Sequence, residues 1–214
     1  MGRAGSTELG TEGPHAITIG LASDPMKLGI EVDRFRLSWS SFMHWFLSRL
    51  FGWLLGRPEP RIVCESAIWA AGVRELGRRT LGRRRESGAF LIGEAPDRGP
   101  KIIRAFVFYD DIDEHALETG IVRFNGNHLP KLWELCSEKG LRVVADIHVH
   151  PGGYGQSASD RADPVMPRAG HIAFILPDFA AGKVDPGGIG QYEYRGNGAW
   201  VDHSRASAPF LELR

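Results

Sequence analysis

The sequence predicts a mixed α/β domain over residues 61–214, with a separate extension ahead of it. Three observations predict it. From residue 61 on, short apolar runs rich in β-branched and aromatic residues alternate with longer stretches of helical periodicity, the order that lays helices on a sheet. The runs are bounded by turn-forming clusters such as PDRGP at 96–100. The length of 214 residues, with 43% apolar and 24% charged content, suits one core-forming domain plus an extension.

The elements follow in order. Residues 1–37 are rich in glycine and polar residues and predict a poorly ordered extension. Residues 38–56, SWSSFMHWFLSRLFGWLLG, are the most apolar window and predict a helix. A spanning helix needs about 20 mostly apolar residues. This window falls short and carries His44 and Arg49, which are costly in hydrocarbon. A helix packed on the domain or on a partner is the preferred reading. Trp39, Trp45 and Trp53 keep an interfacial membrane helix open. Arg57–Pro60 reads as a linker, so the extension divides into 1–37 and 38–60.

Within the domain, RIVCES (61–66) is a short strand. Residues 67–84 repeat apolar side chains at Ile68, Ala71, Val73, Leu76 and Leu81 and predict a helix despite their glycines. SGAFLIGEA (87–95) and KIIRAFVFYDD (101–111) are two strands of a hairpin. A helix from about Leu129 ends at Gly140 as its C-cap. RVVADIHVH (142–150) is an apolar strand, followed by a Gly-rich loop from Pro151 to about Arg168. HIAFILPDF (171–179) is a further strand, and residues 188–204 a closing hairpin.

Twenty-six basic residues balance 26 acidic ones, so no overall field favours nucleic acid or an anionic membrane. Arg74, Arg78, Arg79, Arg83, Arg84 and Arg85 form a local basic run, read as a solvated helix face ahead of a docking surface for an acidic partner. Cys64 and Cys136 make no CxxC pair and no disulfide framework, which fits a reducing compartment such as the cytoplasm. The first residues lack the basic and apolar regions of a signal peptide.

The chemistry concentrates in residues 146–160. His148 and His150 stand two apart at a strand end, so both imidazoles project from one face. They can converge on one cation at the usual Zn–N distance of about 2.0–2.1 Å. The glycines that follow let the chain fold back, and Asp160 can return as an oxygen ligand. Three protein ligands leave a fourth tetrahedral corner for water, the mark of a catalytic zinc site. The plainer readings are a satisfied polar pair at a strand end and an ordinary turn.

HVHP followed by SASD resembles the H-x-H-P…S-x-x-D signature of the JAMM, or MPN-plus, metallopeptidases, and Glu86-Ser-Gly-Ala-Phe-Leu-Ile-Gly93 stands where that family carries its upstream glutamate. The resemblance covers about residues 61–204 and implies an MPN domain, with a cytidine-deaminase-like mixed sheet flanked by helices. It implies zinc held by His148, His150 and Asp160, a proton acceptor at Glu86 and an oxyanion-stabilising hydroxyl at Ser157. Asp163 is a fallback ligand and Glu94 a rival to Glu86. Asp146, on the His148 face, is a candidate by proximity for orienting a histidine, and His171 is expected to be a structural or supporting residue rather than a ligand. The compact bacterial members act on ubiquitin-like proteins, so the resemblance implies a peptidase for the tail of such a modifier, with conjugating-enzyme components as further partners. Two other classes stay open: a non-catalytic MPN scaffold subunit, and a metal-dependent amidase on another substrate.

Overall fold

One mixed sheet of eight strands carries the fold, in the order β7-β6-β5-β4-β2-β3-β1-β8. In chain order the elements are β1 (Ile62–Cys64), α1 (Ser66–Arg79), β2 (Gly88–Glu94), β3 (Lys101–Phe108), α2 (Tyr109–Ile112), α3 (Leu129–Lys139), β4 (Arg142–Val149), α4 (Ala158–Ala162), β5 (Ile172–Leu176), β6 (Gly190–Gly196), β7 (Ala199–Asp202) and β8 (Leu211–Leu213). This computed structural model describes residues 59–206 and 210–214. The expected extension at 1–37 and the expected apolar helix at 38–56 lie outside the described residues. Among those described, no helix is long and apolar enough to cross a membrane.

The sheet has a core on each face because its central strands are apolar on both. In β2, Ala89 and Leu91 join the cluster under α1, while Phe90 and Ile92 join the cluster under α3. Helix α1 presents Trp69, Val73 and Leu76 to the first cluster, at the spacing of one helix face. Burying side chains of that size contributes about 1.5–3 kcal/mol each. Gly72 lets α1 approach the sheet: a Cβ there would sit 2.5 Å from the Phe106 ring. Helix α3 buries Leu132 and Cys136, one turn apart, and Gly140 closes it at φ 62°. Both cysteines are buried and free.

Strand β4 is the pivot for function. Ala145, Ile147 and Val149 all face the α1 core. Strand alternation therefore assigns Asp146 and His148 to the opposite face, and His150 follows in step.

Several element boundaries differ from the expectation. The helix expected to reach residue 84 stops at Arg79, and the Thr80 hydroxyl donates back to the Gly77 carbonyl at 2.7 Å. Leu81, Gly82 and Arg83 then take positive φ values of 51°, 72° and 68° to bring the chain back to the sheet. The strand expected to run to residue 111 gives way to α2 at Tyr109, where the Arg79 guanidinium binds both Asp110 and Asp111. Part of the basic run is thus ion-paired, since Arg78 and Arg79 also share Glu75. The strand expected to reach residue 179 ends at Leu176, before Pro177. Helix α4 interrupts what reads as loop, and β8 adds a fifth strand after α3, paired parallel to β1.

Candidate metal centre

Strand β2 lies beside β4 with Gly88 opposite His148. The pairing needs glycine: a Cβ on Gly88 would fall 2.3 Å from the Tyr109 ring. Gly88→Ala therefore displaces Tyr109 and lowers stability by about 1–3 kcal/mol, the usual cost of overpacking. Urea unfolding of the variant checks it, and a wild-type midpoint would refute the contact.

Past β4 the Gly-rich segment loops out and returns as α4. Ser157 caps that helix: its Oγ accepts from the Asp160 amide at 3.1 Å, and the Asp160 Oδ2 accepts from the Ser157 amide at 2.6 Å. This reciprocal capping box fixes the Asp160 carboxylate over the histidine pair. Trp200 on β7 ties the helix down by donating from Nε1 to the Arg161 carbonyl at 3.2 Å.

The ligand atoms then converge. The two Nε2 atoms of His148 and His150 are 2.9 Å apart. Oδ1 of Asp160 lies 3.4 Å from His148 Nε2, and Oδ2 lies 3.3 Å from His150 Nε2. Ligand atoms about 2.0–2.1 Å from one ion at tetrahedral angles stand about 3.3 Å apart, so the two imidazole–carboxylate edges match and the imidazole–imidazole edge is slightly short. These three residues form the cluster able to hold a metal among the described residues. Two neutral nitrogens and a carboxylate oxygen are a donor set that zinc accepts.

The electrostatics fit such a cluster. Burial opposes the charged form of His148, but the Asp160 carboxylate outweighs it, helped by Asp146 and Glu86, and the pKa is raised. For Asp160 burial acts upward, yet hydrogen bonds to the two imidazoles hold its carboxyl far below the usual carboxylate range.

Glu86 precedes β2. Its amide donates to the Gly120 carbonyl at 2.8 Å, and its carboxylate is near enough for its charge to act on His148. Its Oε2 accepts from the Val122 amide at 3.1 Å, which tethers the carboxylate and leaves the other oxygen available. Glu94 stands at the far end of β2, paired to Arg104 at 2.7 Å, and does not join the cluster. Asp163 is the C-cap residue of α4, exposed beside the cluster and outside the ligand set. Ser157 is exposed, and its cap uses only an oxygen lone pair, so its hydroxyl proton is free to donate.

Asp146 corrects one expectation. It shares the His148 face but makes no hydrogen bond to either ligand imidazole. Its Oδ1 pairs with His171 Nε2 at 2.5 Å, and its Oδ2 accepts from the Tyr109 hydroxyl at 3.1 Å. All three side chains are buried. Burial first, and then the Asp146 charge, raises the Tyr109 pKa, which keeps the phenol a neutral donor. This polar network lies under the cluster, and no local pattern in the sequence announces it.

Two carbonyls of the ligand loop are held by a left-handed turn. Asp178, Phe179 and Ala180 have φ of 51°, 57° and 58°. The Phe179 amide donates to the His150 carbonyl at 2.7 Å, and the Asp178 amide to the Gly152 carbonyl at 2.8 Å. Non-glycine residues in this conformation cost roughly 1–2 kcal/mol each.

A cleft of about 600 Å³ opens beside the cluster, lined by Phe124, Leu129, Val165 and Trp200 together with His148 and Asp160. A larger cavity of about 1260 Å³ runs along α1 on the opposite face and contains none of the cluster. The smaller cleft is the one with convergent titratable groups.

No family model matches the chain. Among solved structures it is similar to a Desulfitobacterium hafniense protein, at 13% identity and a TM-score of 0.50, over 72% of this chain and 94% of that one. It also resembles a Salinibacter ruber protein at 16% identity and a TM-score of 0.43, over 68% of this chain and 94% of that one. At 13% identity the first shows a shared α/β fold and nothing about activity.

Proposed function

We propose that this chain is a zinc metallopeptidase of the MPN-plus type, hydrolysing the isopeptide or peptide bond after the C-terminal tail of a ubiquitin-like protein. One observation carries the reading: His148, His150 and Asp160 meet at ligand distances, with the Glu86 carboxylate near enough to act on His148. The substrate class comes from the resemblance of HVHP…SASD and its upstream glutamate to that family. The buried free cysteines agree with a reducing compartment such as the cytoplasm.

His148, His150 and Asp160 would hold the ion. When bound, zinc supplies Lewis acidity, polarising the scissile carbonyl and bringing the pKa of a water in the open corner toward about 7. Glu86 accepts the proton from the attacking water and returns it to the leaving amine. The Ser157 hydroxyl donates to the developing oxyanion, a contact whose loss costs about 10²–10³ in rate. An extended, Gly-rich tail would lie in the cleft beside the cluster, against Phe124, Leu129, Val165 and Trp200.

The direct test is a ubiquitin-like domain fused through its tail to a reporter. Cleavage after the tail, abolished by a chelator and restored by zinc, is the expected result. A zinc-loaded chain that never cuts such fusions would return the fold to a scaffold role. Cutting small amides instead would move it to the amidase class.

The pH dependence has opposite signs with and without metal. Zinc needs neutral His148, so its affinity falls as pH drops through the raised pKa of that group, by about tenfold per unit well below it. In the metal-free protein, the raised His148 pKa gives stability that is full below the ordinary 6.5 and is lost as pH rises through the folded value. Melting temperatures from pH 5 to 8, with and without zinc, should diverge as pH rises; parallel curves would contradict both statements.

A further inference from the structure

Strand β2 stops at Glu94, while β3 begins further on at Lys101 and β4 at Arg142. The space left at that end of the sheet is a cavity of about 410 Å³ on the α3 face. Its charged lining is Lys101, Arg142 and Arg168, with His171 in one wall and Trp133 in another, and it includes no carboxylate. Lys101 is half-buried, and its Nζ has only long contacts of 3.5 Å to the carbonyls of Val144 and Gly170. Some arginines elsewhere are matched: Arg78, Arg79, Arg85 and Arg104 each meet an acid, while Arg74, Arg98 and Arg123 stand exposed without one. Among the described residues, Lys101, Arg142 and Arg168 form no ion pair. The carboxylate that acts on Lys101 from a distance, Glu193, is already bound by Arg61, Arg195 and His203.

This arrangement is unfavourable by itself. A partly buried ammonium without a counter-charge loses hydration and gains no ion pair. Burial, with Arg61 and Arg168 nearby, lowers the Lys101 pKa. The whole chain is neutral, so the excess is local rather than a general basic surface.

We propose that this cavity is an anion site for a small molecule bearing phosphate or carboxylate groups, distinct from the metal cluster. Lys101 supplies a point charge, and Arg142 and Arg168 supply planar forks that match such oxyanions. Trp133, 43% exposed, offers an apolar wall for the rest of the ligand. The volume lies at the small end of the range for ligand pockets, about 300–1,000 Å³. Arg142 and Arg168 are exposed but border the cavity, whereas Arg83 and Arg84, equally unpaired and exposed on the turn after α1, line none of the cavities named above. The site does not depend on zinc: it meets the metal cluster only through His171, whose Nε2 is bound to Asp146.

Calorimetric titration of the full chain with inorganic phosphate and with diphosphate tests this, after chelator treatment so that the metal cluster takes up no anion. Saturable binding is expected, tighter for diphosphate and weakened by salt. Lys101→Met and the double variant Arg142→Gln/Arg168→Gln should each lose about tenfold or more in affinity. Both should melt no lower than wild type and still take up zinc, because removing an unpaired cation relieves repulsion. Arg83→Gln/Arg84→Gln should bind as wild type does. Absence of saturable heat, unchanged affinity in both cavity variants, or loss of binding in the turn variant would each overturn the site. None of these outcomes bears on peptidase activity, so the two readings fail separately.

Discussion

Under the proposed mechanism, Glu86→Gln should keep zinc at the wild-type stoichiometry and lose turnover by about 10²–10⁴-fold, the contribution typical of a positioned proton acceptor. The amide is nearly isosteric with the acid. Its oxygen can still accept from the Val122 amide, the contact that anchors the native carboxylate. What disappears is the ability to take and return a proton. Because Glu86 is not among the residues whose ligand atoms converge, the metal stays. Metal content by plasma emission and single-turnover cleavage of a tail fusion, measured on the same preparation, separate the two effects. Cleavage at the wild-type rate would remove Glu86 from the chemistry, and loss of zinc would make it a ligand.

The largest effect on stability should come from the ligands. His148→Ala removes one corner of the cluster and opens space beside a buried strand. If the cluster holds zinc as proposed, zinc at a thousand times its Kd should add about 4.1 kcal/mol to wild-type stability. For a domain of this size, that corresponds to a rise in Tm of roughly 8–16 °C, at about 2–4 °C per kcal/mol. In the variant the zinc-dependent rise should vanish. Asp160→Asn refines the test, because its amide oxygen can still accept from the Ser157 amide and preserve the cap while coordinating poorly. If Asp160→Asn keeps the full zinc response, the carboxylate is a helix cap and not a ligand. Differential scanning fluorimetry with and without zinc reads both variants.

What the sequence discloses and what it hides follow from range. The histidine pair is legible because strand alternation is a local rule, and β4 obeys it: Ala145, Ile147 and Val149 go to one core and leave His148 to the other face. Gly140 is legible as a helix terminus because a positive φ favours glycine. The S-x-x-D spacing is legible but ambiguous. It is a helix-capping pattern in its own right, and here the cap is the device that presents Asp160. Glu86 is reached only through a family resemblance, since its carboxylate is placed by the Val122 amide, 36 residues further along the chain. The Asp146 network is hidden for a similar reason. Tyr109, Asp146 and His171 come from three separate segments, and no spacing between them encodes their contact. β8 is three residues long and pairs with the first strand of the sheet, so neither its length nor its pattern separates it from a tail.

The left-handed turn at Asp178–Ala180 has a consequence for how the fold tolerates insertions and deletions. Connections after a strand usually accept added or missing residues with little harm. This one cannot, because two of its amides are the donors for the carbonyls of His150 and Gly152. Shifting the segment by a single residue would put other amides there, in a conformation that side chains resist. Such a change would leave both cores intact and show itself as weakened metal retention in an otherwise folded protein.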